Sequence, residues 1–287
     1  MQSSSQSILK RFDAYAAFWR FPIIVWQAVF FIGPLIFLVA MSFFVVRNYR
    51  MQEAFEFRNW ERMLTRNAFW DSYVDTWVLA GLATIICVTL AFPAAYGLAF
   101  KVSDGVRRWA IFLLIIPFFT SYLVRTFSWY VILAESGVVN AVFGWVGLGP
   151  YTMLNTRIGT IVGYLTLTLP LVVILQTFSL ANIDRRYVEA AGNLGAPPLT
   201  TVFQVIVPLA KTGLVISAAF CFILTFGDFV APYYLGGSNT PTLPILIIDT
   251  TKSGQQWPRA AVVAIMMMVT LFAVAFAAIV YAYRKRT

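Results

Sequence analysis

Six long apolar stretches, at residues 22–46, 77–100, 109–133, 158–181, 209–232 and 260–283, constrain this chain more than any other feature. Each has about 24 residues, enough to cross a hydrocarbon layer of about 30 Å as a tilted helix. Lipid offers no water to satisfy backbone N–H and C=O groups, so only helices or closed barrels cross it, and these stretches lack the alternation of barrel strands. The expected class is an all-α membrane protein with six transmembrane helices over residues 22–283. It would lie between an N-terminal segment, 1–21, and a short tail, 284–287. The first stretch is too long for a signal-peptide core and no small-residue cleavage site follows it, so it reads as a retained anchor. Only 11% of the residues are charged, against about 25% in a soluble domain.

The net charge of +9 does not point to nucleic acid, because the basic residues form no patch with aromatics between them. They sit at the ends of the apolar runs. Lys10, Arg11 and Arg20 precede the first; Lys101, Arg107 and Arg108 separate the second and third; Arg185, Arg186 and Lys211 flank the fourth loop; Arg284, Lys285 and Arg286 close the chain. The positive-inside rule places these segments, and both termini, on the cytoplasmic side. The first outer loop is an exception, since Arg47, Arg50, Arg58, Arg62 and Arg66 are offset only by Glu53, Glu56, Glu61 and Asp71.

Several chemistries drop out. There is no histidine, which removes imidazole bases and the commonest metal ligand. Cys87 and Cys221 lie in separate apolar stretches without a near partner, so neither a disulfide framework nor a zinc site is read from them. No G-x-x-x-x-G-K-[ST] phosphate loop is present, and no catalytic constellation is found. An ion-driven carrier is the rival class; its usual pair of similar halves with matching broken helices is not visible.

A polar interruption at 182–208 separates the fourth and fifth stretches. Asp184 suits an N-cap, residues 185–194 can form about three turns, Gly195 suits the left-handed C′ position, and Pro197 and Pro198 stop continuation. Ala190 and Ala191 side by side leave a flat face that another protein can approach closely. An ordinary amphipathic interfacial helix is the plainer alternative.

Glu189-Ala190-Ala191, three residues, Gly195, nine residues, then Val205-Ile206-Val207-Pro208 resembles the EAA loop of the membrane subunits of bacterial ATP-binding-cassette importers. That pattern is EAA, three residues, G, nine residues, I-x-L-P; Val205 and Val207 stand where Ile and Leu are usual. "LLIIPFFTSYLVRTFSWYVIL" (113–133), "GVVN" (137–140), "GDFVAPYYLGG" (227–237) and "QQWPRAA" (255–261) are similar to the spermidine/putrescine (PotB/PotH-like) branch, with Ala260 where relatives tend to carry glycine. The resemblance implies the type I importer permease (MetI-like) architecture in a bacterial inner membrane. Glu189, Ala190, Ala191, Gly195 and Pro208 would belong to the cytoplasmic coupling helix. It also implies a second homologous permease, two cytoplasmic ATPase subunits and an extracellular or periplasmic solute-binding protein. ATP and Mg would sit on the ATPases, leaving this chain without a cofactor. The implied cargo is a small amine of the polyamine type, with another nitrogenous solute such as an amino acid derivative or opine as the alternative.

Ionisable groups at membrane depth cost about 2.5–3.5 kcal/mol on insertion scales and usually face a cavity or a partner. Asp228, followed by Tyr233 and Tyr234, could meet an ammonium group through charge and aromatic faces; equally, it could cap a helix end or pair with Arg125. Glu135 is a second candidate, with plain solvation as its alternative. Arg125 lies about 24 Å along the third stretch. Snorkelling, pairing with Asp228 or Glu135, and contact with an acidic solute are all open to it. Trp129 and Tyr130, beside Phe127, fit either the pathway or an interfacial aromatic belt. Met266, Met267 and Met268 read as packing or lipid-facing filler, and Pro93, Pro117 and Pro170 as kinks inside spans.

Overall fold

A computed structural model describes residues 18–237 and 240–284. Lys10, Arg11, Lys285 and Arg286, four of the basic residues used to orient the chain, lie outside the described residues. The helices are α1 (Phe18–Met41), α2 (Arg58–Leu64), α3 (Asn67–Lys101), α4 (Asp104–Phe119), α5 (Tyr122–Ile132), α6 (Val138–Trp145), α7 (Arg157–Ala181), α8 (Arg185–Asn193), α9 (Pro198–Leu209), α10 (Lys211–Gly227), α11 (Leu243–Lys252) and α12 (Trp257–Tyr283). Four of them, α1, α3, α7 and α12, are long and apolar enough to cross a membrane. Two bent pairs, α4 with α5 and α9 with α10, raise the number to six when each pair counts as one span.

The expected boundaries shift for physical reasons. Helix α3 begins at Asn67 rather than 77, because apolarity marks depth in lipid and not where a helix starts. The third stretch is broken rather than straight. After Pro117 the chain turns extended at Thr120 and Ser121, and α5 leaves α4 at 91°. The fifth stretch ends early: α10 stops at Gly227, and Asp228 takes an extended conformation. The first stretch ends at Met41, before a hairpin of β1 (Val45–Arg47) and β2 (Arg50–Gln52) that was not foreseen. Its turn residues Asn48 and Tyr49 both have positive φ, as a two-residue hairpin turn of type I′ requires.

Two compact units result, one from residues up to Thr65 with Thr250–Ile265, the other from Arg66–Asp249 with Met266 onward. In the first unit, α1 buries none of the side chains in its apolar window. Its hairpin region is ordered by Asn59, whose amide donates to the carbonyls of Ser42 and Phe44 at 3.0 and 2.7 Å. Phe43 stacks on Phe55 and meets Phe57 edge-on.

The second unit is built on α3, α7 and α10. Ala83, Cys87, Ala91, Ala95 and Ala99 recur every fourth position along α3 and are buried. Small residues on one face let helices approach closely where lipid supplies no hydrophobic drive between them. Three apolar clusters succeed one another along this axis. The first holds Leu79, Ala83, Tyr164 and Ala231; the second Cys87, Ala91, Val172, Val173 and Cys221; the third Ala95, Ala99, Leu180, Ile206 and Ala210. Cys87 and Cys221, expected to have no near partner, therefore share one cluster across α3 and α10, both as free thiols. Thr168 of α7 donates to the Cys87 Sγ at 3.4 Å, and Gln176 to the Val88 carbonyl at 3.3 Å.

Candidate coupling element and translocation site

The polar interruption folds much as its local sequence dictates. Asp184 accepts the N–H of Arg186 at 3.0 Å, which caps α8 at its start. At its end Gly195 has φ +77°, the N–H of Ala196 reaches the Ala191 carbonyl at 3.0 Å, and that of Gly195 the Gly192 carbonyl at 2.9 Å. This pair of bonds is a Schellman closure, which satisfies two carbonyls left over at a helix end. Pro197 is the N-cap of α9 and Pro198 its first residue. Farther on, the Val207 N–H bonds back to Val202 over a widened turn, just before Pro208, which has no N–H to give. Helix α9 meets α10 at 77°.

One expectation about this element is corrected. Ala190 and Ala191 do not share a flat outer face, since consecutive helical residues point about 100° apart. Ala191 is 9% exposed and faces inward, while Ala190 and Glu189 are exposed. The outward surface is completed by Tyr187, Leu194 and Leu199, of which Leu194 is 88% exposed. Pro208 is half-buried beside the elbow.

The second site gathers around Asp228, which is 8% exposed. Its Oδ1 accepts the Val230 N–H at 3.1 Å; its Oδ2 accepts the Ala231 N–H at 3.0 Å and the Tyr122 hydroxyl at 2.8 Å. Of the two structural roles open to Asp228, capping is therefore the one observed, at the start of the turn that runs into Pro232–Gly236. A carboxylate offers about four acceptor positions, and three are occupied. Helix α7 holds this turn by close approach. A Cβ on Gly163 would lie 2.5 Å from that of Ala231, and one on Gly159 2.7 Å from the Leu235 carbonyl.

Arg125 pairs with neither Asp228 nor Glu135 among the described residues. Its Nη1 donates to the Thr166 carbonyl at 3.2 Å, its guanidinium lies 5.8 Å from the centre of the Tyr122 ring, and its buried Nε has no partner. Glu135 is exposed and accepts the Thr152 hydroxyl at 3.3 Å. Tyr130 and Tyr233 are exposed and Trp129 is half-buried. Tyr233 stacks edge-on with Tyr234, which in turn packs on Phe127.

Sequence reasoning missed four residues that build this region. Tyr122 gave no signal, because its partner is far away in the chain. The Gly159–Gly163 pair was legible as a G-x-x-x-G spacing within an apolar run. Asn140 pins the loop that carries Glu135: its amide donates to the carbonyls of Ala134 and Tyr151 at 3.2 and 3.0 Å, and its oxygen accepts the Tyr151 N–H at 2.8 Å.

The profile of the family described as "Binding-protein-dependent transport system inner membrane component" matches residues 87–287. The spermidine/putrescine transport system permease protein PotB of Haemophilus influenzae is 28% identical over 253 residues, covering 86% of each chain. PotB of Escherichia coli is 26% identical over 252 residues, covering 87% of this chain and 91% of its own. A chain of a bacterial ABC transporter involved in the import of the acidic polysaccharide alginate superposes with a TM-score of 0.76 at 17% identity, over 100% of both chains.

Proposed function

The chain belongs to the binding-protein-dependent transport system inner membrane components, and from that premise we propose that it forms half of the pathway of an ATP-driven importer for a polyamine of the spermidine/putrescine type. It is a multi-pass inner membrane permease with the MetI-like fold, and it is not itself an enzyme. The observation that carries the coupling role is α8, which is capped at both ends and presents Glu189, Ala190 and Leu194 away from the bundle. A short rigid helix with an open face is suited to a groove on another subunit. The partners are two cytoplasmic ATPases carrying ATP and Mg, a second homologous permease and an extracellular solute-binding protein, with both termini of this chain cytoplasmic. Closure of the ATPases pushes α8 and biases the bundle between inward- and outward-facing states.

On the pathway side, the exposed faces of Tyr130 and Tyr233, with Trp129 and the Glu135 carboxylate, are the groups suited to ammonium centres. Asp228 acts mainly by holding the turn that carries Tyr233. PotB relatives supply the polyamine reading. The test is reconstitution with the partner permease, the ATPases and the binding protein, followed by uptake of labelled spermidine. Glu189→Lys is expected to abolish ATP-dependent uptake and co-purification of the ATPase. Uptake that persists without the ATPase but collapses with the ion gradient overturns the reading in favour of a carrier.

A further inference from the structure

The elbow between α9 and α10 encloses a cleft of about 450 Å³, lined by Phe203, Val207, Pro208, Lys211, Leu214 and Tyr281 among others. Its third wall is the end of α12, tied to α10 where the Thr212 hydroxyl donates to the Ala282 carbonyl at 3.2 Å. Lys211 holds its ammonium 4.2 Å from the centre of the Tyr281 ring. A cation over an aromatic face keeps its N–H donors free for an anion at the rim. No acidic residue lines the cleft among the described residues, and a second cation, Arg284, directly follows α12.

We propose that this cleft binds an anionic phospholipid, its phosphate at Lys211 and Arg284 and its acyl chain along Leu214 and Tyr281. The choice of occupant follows from the chemistry of the walls. A soluble anion would use the lysine and leave Leu214, Val207 and Phe203 bare, whereas a zwitterionic lipid would fill the apolar wall and bring a second positive charge to Lys211. The exposed rings of Phe203 and Tyr281 add apolar surface beside α10 and α12, both apolar helices of candidate spans. Basic residues beside a membrane helix attract anionic headgroups. Because the walls come from both sides of the 77° bend, a seated lipid braces the angle at which α9 meets α10. This inference needs only membrane residence and is independent of the cargo.

The test measures lipid carried by the permease complex as it purifies. The complex is equilibrated in vesicles of two parts phosphatidylcholine to one part phosphatidylglycerol, re-extracted, and its retained lipids are counted by native mass spectrometry. Wild type is expected to retain phosphatidylglycerol. The double variant Lys211→Gln/Arg284→Gln is expected to retain at least fivefold less with phosphatidylcholine unchanged, and Lys211→Arg to behave as wild type. Equal phosphatidylglycerol retention by wild type and the double variant overturns the proposal. So does displacement of the lipid by millimolar inorganic phosphate, or crosslinking of a cysteine at Phe203 to the partner permease. A complex that retains the lipid yet carries no polyamine leaves this inference standing and removes the cargo assignment.

Discussion

Helix α8 and the turn at Asp228 are both polar interruptions between apolar helices, yet they are held by opposite means. Every bond that caps α8 closes within six residues of chain, from Asp184 to Arg186 and from Ala196 to Ala191. The Asp228 turn also starts with a local cap, but its carboxylate takes a further hydrogen bond from Tyr122, 106 residues away, and its backbone fits only because α7 offers glycine at 159 and 163. An element that faces water can leave unmet groups to the solvent. One that faces an apolar interior must find its donors inside the fold. The exposed element is thus free to serve a partner, whereas the buried one is tied to its own chain.

That contrast can be broken by substitution. Asp228→Ala should have the largest effect on stability. It strands a hydroxyl and two N–H groups at about 1–3 kcal/mol each, and a melting temperature in detergent equal to wild type would show that the turn does not depend on the carboxylate. Gly163→Leu comes next at about 1–3 kcal/mol, the usual range for overpacking, and is read in the same melt. Tyr122→Phe removes one hydroxyl without changing shape and should cost about 1 kcal/mol. Gly195→Ala places a Cβ at a left-handed position with open space around it, so about 1 kcal/mol is lost from the closure of α8 alone. Leu194→Ser should leave stability within about 0.5 kcal/mol while abolishing ATPase capture in a pull-down. If it melts early instead, α8 leans on the rest of the fold no less than the Asp228 turn does.

The same division explains what could be read from the chain. Asp184, Gly195 and the proline pair specify α8 through local rules, so its span and both caps were legible. The direction of Ala191 was also available, because 100° per residue separates it from Ala190. The break between α4 and α5 was legible only as a kink at Pro117, not in its size or its extended backbone. Thr120 and Ser121 are compatible with a continuing helix, and the extended backbone there depends on how α5 packs on α7. Tyr122 as the donor to Asp228 was out of reach for the same reason, since two positions so far apart are joined only by the fold. The proximity of Cys87 to Cys221 was hidden likewise. Apolar length found the long apolar helices but mistook their ends, as the early start of α3 and the early stop of α10 demonstrate.

The fourfold repeat of small side chains along α3 has a mechanical consequence. Where alanines and one cysteine are the spacers, backbones sit nearly against one another and little soft volume is left to absorb a push. The cluster around Ala210 and Ile206 adjoins the elbow, and the cluster around Ala231 adjoins the Asp228 turn. Between them run three helices packed with few compressible side chains, a layout suited to passing a displacement from one end to the other.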